Sequence, residues 1–119
     1  MTREILTAER ALQLLREVVA ERPGYVYEAP DSRGCAYVDP ATGEPSCLVG
    51  HVFIRAGWSA AELRRWNRTA VSWLPSNLAI SEGARCMLDE AQQVQDSGWT
   101  WGEALLTAEG FAAGPGEAP

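Results

Sequence analysis

Two apolar segments joined by a glycine-containing turn lie in the middle of the sequence. The stretch runs Leu48-Val49-Gly50-His51-Val52-Phe53-Ile54-Arg55-Ala56-Gly57-Trp58-Ser59-Ala60-Ala61-Glu62-Leu63. The first segment predicts a helix from Cys47 to Ala56, capped by Ser46, with Gly57 as the residue that ends it. Ser59 and Glu62 match the capping-box pattern that opens a helix. The stretch therefore predicts two helices with a tight turn between them.

Working outward, three further helices are predicted from apolar residues at helical spacing and from the residues that begin and end each run. A helix capped by Thr7 runs to about Arg22, a helix capped by Ser81 ends at Ser97-Gly98, and a second capping box at Thr100 and Glu103 opens a last helix through about Ala108.

Between the first two helices lie two short β-prone runs, Tyr25-Val26-Tyr27 and Cys35-Ala36-Tyr37-Val38, with a further turn at residues 39–43. They predict a small hairpin that must pack on the helices, since an isolated hairpin is barely stable. The expected fold class is α+β, mainly α: about five helices with a small β-hairpin between helix 1 and helix 2. Residues 1–109 form one globular domain, and residues 110–119 are expected to be a disordered tail.

Composition limits the function classes. The formal charge is −6 and the pI about 4.7. A generic nucleic-acid binder neutralises phosphates with basic residues, so nucleic acid is an unfavoured partner. All ten basic residues are arginine, which excludes chemistry that needs a lysine. No apolar run approaches the ~20 residues of a membrane span, and no signal peptide is evident, so the expected location is cytoplasmic without membrane contact.

One cysteine–histidine constellation is a candidate site. Cys47 and His51 lie one helical turn apart, and Cys35 lies across the predicted turn from Cys47, with Cys86 as a fourth candidate ligand. Such a set could hold zinc, or Cys47 and His51 could form a thiol pair. The spacing lacks the close C-x-x-C pairs of structural zinc sites. The favoured interpretation is that the cysteines are small buried side chains, with no metal, no cofactor and no catalytic constellation.

The central stretch also resembles a helix-turn-helix, and arginines follow it at Arg64, Arg65 and Arg68, beside Trp66. Tryptophan and arginine are enriched at protein-interface hot spots. The five tryptophans lie at positions 58, 66, 73, 99 and 101; most are expected in the core, with Trp66 or Trp101 as the exposed member. Phe53, where crossing helices require a small residue, and the acidic charge both weigh against DNA binding.

The run Pro45-Ser46-Cys47-Leu48-Val49-Gly50-His51-Val52, with residues 35–37 before it, resembles short uncharacterised proteins of actinobacteria and their phages. Residues 91–105, which end in Trp-Thr-Trp-Gly-Glu-Ala-Leu, carry the same resemblance. It covers roughly residues 8–108 and agrees with the lysine-free composition. It implies an accessory phage or mobile-element protein that binds another macromolecule, and it supplies no catalytic residue.

The sequence thus predicts a non-enzymatic protein-binding or regulatory protein, whose contact residues are Trp66, Arg64, Arg65 and Arg68. The partner is another protein of unknown identity, and a homodimer stays open. The two alternatives are a small helix-turn-helix-like DNA-binding regulator that uses the helix beginning at Ser59, and a zinc-supported domain that uses Cys35, Cys47 and His51.

Overall fold

Five α-helices and one short 3-10 helix make up the fold. The computed structural model describes residues 5–28, 36–75 and 77–112. The helices are α1 (Ala8–Glu21), α2 (Leu48–Arg55), α3 (Ala60–Arg65), α4 (Glu82–Asp96) and α5 (Trp101–Ala112), and the 3-10 turn (Val71–Trp73) precedes α4. The prediction of a mainly helical fold is confirmed.

The core lies where α1 packs against α2, α4 and α5. Each helix contributes its apolar stripe, for example Leu14, Leu15 and Val18 from α1 and Met87 and Leu88 from α4, all of them buried. Four side chains cap their helices as predicted: Thr7, Ser59, Ser81 and Thr100 accept hydrogen bonds from backbone N–H groups of the first turn. The capping box of Ser59 and Glu62 is present in both directions.

The predicted hairpin is not confirmed, and the described residues contain no strand, only single bridges. Val26 pairs with Thr100, because the Tyr25 carbonyl accepts a hydrogen bond from the N–H of Trp101. The phenol of Tyr27 lies 3.2 Å from the N of Ala36, so a side chain joins the two β-prone runs. The turn at residues 39–43 is present and is closed by the bridge between Val38 and Pro45.

Two predicted boundaries are wrong. Cys47 is the N-cap of α2 and not its first helical residue: its sulfur accepts a hydrogen bond from the N–H of Gly50, while the Ser46 hydroxyl is engaged with Tyr27. The last helix continues four residues beyond its predicted end, because Phe111 packs against the core. Residues 110–112 are therefore helical, and the rest of the predicted tail, 113–119, lies outside the described residues.

Arg85 is the one buried arginine among the described residues. Its guanidinium donates hydrogen bonds to the carbonyls of Val71, Leu74 and Pro75. Val71 and Pro75 also accept backbone N–H groups, from Leu74 and Leu78, so the guanidinium adds a second donor to each of these two carbonyls. This contact fastens the turn to α4. None of the helices in the described part of the chain has the length and apolar character needed to cross a membrane.

Candidate protein-binding surfaces

The predicted contact residues lie at the end of α3 and in the turn that follows it. Arg64, Arg65 and Arg68 are exposed, and Trp66 is half-buried against the core. The guanidinium carbon of Arg65 lies 5.8 Å from the ring centroid of Trp66, within cation–π range. We call these four residues the arginine turn.

The backbone of the arginine turn is fixed from its inner side by Asn67. Its Oδ1 accepts hydrogen bonds from the N–H groups of Tyr37 (2.8 Å) and Val38 (3.2 Å), and its Nδ2 donates to the Val38 carbonyl (3.0 Å). The Tyr37 hydroxyl donates to the carbonyl of Thr69. Arg68 takes a left-handed backbone conformation, with φ of 68°. The chain therefore turns sharply here, and the arginines lie on its outer side.

The segment that Asn67 holds is itself locked against α2. The Tyr37 carbonyl passes so close to Gly50 that a Cβ at that position would overlap it. Phe53 stacks on Trp58, with centroids 4.7 Å apart and rings 12° from parallel. The missing side chain at Gly50 therefore allows the segment around Tyr37 to cross α2 closely.

The outline of a helix-turn-helix is present, since Gly57, at φ of +104°, turns the chain between α2 and α3. The second helix is short, however. Its six residues span ~9 Å, and its first turn offers Ala60, Ala61 and Glu62. Base edges are read by amide and guanidinium groups, and a carboxylate in that place meets phosphate repulsion. These features weigh against the DNA-binding alternative.

The candidate metal ligands do not form a cluster in the described residues. Cys47 is fully buried, as expected, and Cys35 lies outside the described residues. Cys86 is exposed on α4, so the expectation that it is a buried side chain is wrong. No group of three or more His, Cys, Asp or Glu side chains within the described ranges is placed to hold a metal ion. Because Cys47 is inaccessible and serves as a cap, its place in the fold is explained without a metal or a reactive thiol.

His51 has a structural setting that the sequence did not indicate. Its ring packs edge-on against Trp101, with centroids 5.3 Å apart, and its buried Nε2 has no hydrogen-bond partner among the described residues. Burial lowers the pKa of His51, and the nearby guanidinium groups of Arg22 and Arg55 lower it further, against a smaller opposing effect of Glu21. The lowered pKa favours the neutral imidazole.

The tryptophans divide differently from the prediction. Trp101 is 1% exposed, so the expectation that it could be the exposed member is wrong. Its indole N–H donates to Gln95, whose Oε1 also accepts from the N–H of Leu48. Trp73 and Trp99 are the exposed ones, at 80% and 54%. Apolar periodicity could not reveal them, since both lie outside the regular helices.

A second surface, missed from the sequence, lies between the end of α4 and α5. Its groove of about 290 Å³ is lined by Val94, Trp99, Glu103, Leu106 and Thr107, and Leu106 is 66% exposed. We call it the α4–α5 groove. Within the described residues, the α4–α5 groove is a second candidate binding surface beside the arginine turn. No family model matches this chain, and neither a curated protein nor a solved structure matches it significantly.

Proposed function

We propose that this chain is a non-enzymatic binding protein, that its partner is another protein, and that the arginine turn is the contact surface. The observation that supports the proposal is the exposure of three guanidinium groups around one half-buried indole. Arginine and tryptophan dominate interface hot spots because they combine large contact area with directional donors.

The fixed backbone of the turn adds to this argument. Binding costs free energy when loops and side chains must first be ordered. Here Asn67 and the Tyr37 hydroxyl hold the backbone on the inner side. The backbone of this surface is therefore preorganised, which lowers the free-energy cost of ordering it on binding.

The chemistry of the turn favours an acidic partner surface. A guanidinium group matches a carboxylate through two parallel hydrogen bonds, which gives geometry as well as attraction. Phosphate would be matched as well. The formal charge of −6, however, opposes approach to a polyanion, whereas a folded acidic patch carries a weaker field.

The test uses the charge of the turn, because truncation of Trp66 would also remove core packing. The variant Arg64→Ser, Arg65→Ser, Arg68→Asn removes three charges and keeps a residue that tolerates the left-handed φ at position 68. Arg10→Ser, at an exposed arginine of α1, is the matched control. Proteins captured from a native lysate at physiological salt are identified by mass spectrometry and titrated against each variant.

We expect the triple variant to lose at least about tenfold in affinity for the captured protein and the control to keep it. Equal capture by wild type and triple variant would refute the arginine turn as the contact surface. Tight, sequence-selective duplex binding in a gel shift at the same salt would instead support the DNA-binding alternative.

A further inference from the structure

The charge of this chain is divided unevenly along its length. Residues 1–85 hold ten acidic and all ten basic residues, so the whole formal charge of −6 lies in residues 86–119. Within the described part of that segment are Asp89, Glu90, Asp96, Glu103 and Glu109. Of these, Glu109 is paired with Arg16 of α1 at 2.9 Å. The α4–α5 hairpin is thus the acidic pole of the molecule.

The α4–α5 groove combines this acidic field with exposed apolar surface. Trp99 and Leu106 are its exposed apolar members, and the exposed Glu103 lies in its lining. Glu90 is exposed one helical turn before Val94, on the same face of α4. Apolar side chains rimmed by carboxylates form a surface that is costly to leave in water and that attracts cations.

We propose that the α4–α5 groove binds a basic, amphipathic segment of a partner protein. Apolar side chains of the segment cover Trp99 and Leu106, and its Arg or Lys side chains pair with Glu103 and Glu90. Charge complementarity selects this occupant: the carboxylates repel an acidic peptide, an anionic lipid surface and a nucleic acid alike. The surface is separate from the arginine turn, so this proposal does not rest on the proposed function.

A second copy of this chain is the less favoured occupant. A twofold contact would bring two acidic hairpins face to face and place like charges against each other. The excess of carboxylates in residues 86–112 is not relieved by any basic residue of that segment. A cationic partner both neutralises the carboxylates and covers the indole.

The test is selection from a library of random 12-residue peptides on the folded full-length chain, followed by affinity measurement on synthetic copies of the enriched peptides. Two variants probe the groove. Leu106→Ser removes the apolar contact, and Glu103→Gln removes a charge while glutamine still supports the capping box. Ile5→Ser and Glu44→Gln are the matched controls, since Ile5 is 64% exposed and Glu44 is exposed, both outside the groove.

We expect enriched peptides with net positive charge and at least two large apolar residues. Leu106→Ser should weaken their binding about tenfold and Glu103→Gln about threefold, whereas neither control should change it. Three outcomes would overturn the proposal: enrichment of acidic or uncharged peptides only, equal affinity for wild type and Leu106→Ser, or a dimer in sedimentation that Leu106→Ser dissociates. If acidic peptides bound and lost affinity on Arg65→Ser, they would be occupying the arginine turn and not the α4–α5 groove. The proposal for each surface can therefore fail independently of the other.

Discussion

Two tryptophans follow the ends of two helices and meet different surroundings. Trp66 follows α3, is half-buried and lies among three arginines on a backbone held by Asn67. Trp99 follows α4, after Gly98 at φ of +92°, and is exposed beside Leu106 and Glu103. Trp66 thus belongs to a basic surface with a fixed backbone, and Trp99 belongs to an apolar groove with acidic side chains at its edge.

The difference shows that contacts with residues distant in sequence, and not the position after a helix, decide how exposed an aromatic side chain is and what surrounds it. Asn67 reaches residues 37 and 38, about thirty positions earlier in the chain. Among the described residues, no side chain holds the backbone of Trp99 in this way, and its N–H donates to the carbonyl of Val94 near the end of α4. Substitutions behind the arginine turn should therefore lower the stability of the fold, whereas substitutions in the α4–α5 groove should leave it nearly unchanged.

The largest effect is expected at Gly50, which lets the segment held by Asn67 cross α2. Gly50→Ala would place a methyl group inside the van der Waals distance of the Tyr37 carbonyl. Because rigid backbone cannot move away cheaply, we expect a loss of about 3 kcal/mol or more in the free energy of unfolding. Gly83→Ala, in α4, is the control, because a Cβ at position 83 would lie 3.4 Å from the Cβ of Ala8. Gly83→Ala should be neutral or stabilising by about 0.5 kcal/mol. If urea denaturation gave the same change in stability for Gly50→Ala and Gly83→Ala, the close approach of the Tyr37 carbonyl to Gly50 would be contradicted.

Asn67→Ala breaks the clamp itself. It leaves the part-buried N–H groups of Tyr37 and Val38 without the acceptor that they share. We expect a loss of about 2 kcal/mol, since an unmade buried hydrogen bond carries its full desolvation cost. Gln93→Ala removes an exposed amide bonded to Asp89 and should change stability by no more than about 0.5 kcal/mol. If both variants unfold at the same denaturant concentration, Asn67 is not a clamp.

His51 lies outside both surfaces, in the contact between α2, to which it belongs, and Trp101 of α5. Its folded pKa lies below the ordinary 6.5, so the unfolded chain takes up the proton first as pH falls. Its contribution to stability is therefore complete above about pH 6.5 and is lost as pH falls towards the folded pKa. Arg22, Arg55 and Glu21 are the charged groups that act on it.

The measurement for His51 is the free energy of unfolding from pH 7.5 to 5.5, compared between wild type and His51→Phe. Phenylalanine keeps an aromatic ring against Trp101 and removes both the titration and the unpaired nitrogen. We expect wild type to lose stability relative to the variant as pH falls through this range. Other titrating groups, such as Asp96 with its raised pKa, contribute to both proteins and cancel in the comparison. Parallel curves would mean that the imidazole is not held neutral by the fold.

The smallest effect is expected in the α4–α5 groove. Leu106→Ser and Trp99→Ser alter side chains that are more than half exposed. Thermal unfolding should shift by no more than the equivalent of about 0.5 kcal/mol in either variant. A loss as large as that of Asn67→Ala would show that the groove is part of the core, and would remove the contrast between the two surfaces.

Much of the helical framework follows from local sequence. Thr7, Ser59 and Ser81 cap helices where short-range patterns place them, because a cap involves residues only three positions apart. The same locality explains the errors. Val26 pairs with Thr100, and Phe111 extends α5 by packing on the core; neither contact is encoded in neighbouring residues.

The candidate surfaces are harder to predict from the sequence than the helices. The arginine turn is recognisable in the sequence because its four residues are nearly consecutive. The α4–α5 groove combines Val94 with Leu106, which only the packing of two helices brings together. Trp99 and Trp101 are two residues apart, but Trp99 is exposed and Trp101 is buried. Trp101 is buried because its side chain contacts Gln95 and Tyr25. The uneven distribution of charge, by contrast, is a signal in the sequence that could have indicated the acidic surface.

Site-specific photocrosslinking in the native host detects directly whether the arginine turn contacts a protein. A benzophenone amino acid replaces Arg65 in one version of the chain, Leu106 in a second and the exposed control residue Arg10 in a third. We predict a covalent adduct with a protein at position 65 that position 10 does not give, and a protein adduct at position 106 if the groove is also occupied. Adducts with nucleic acid at position 65, or the same pattern at positions 65 and 10, would contradict the account.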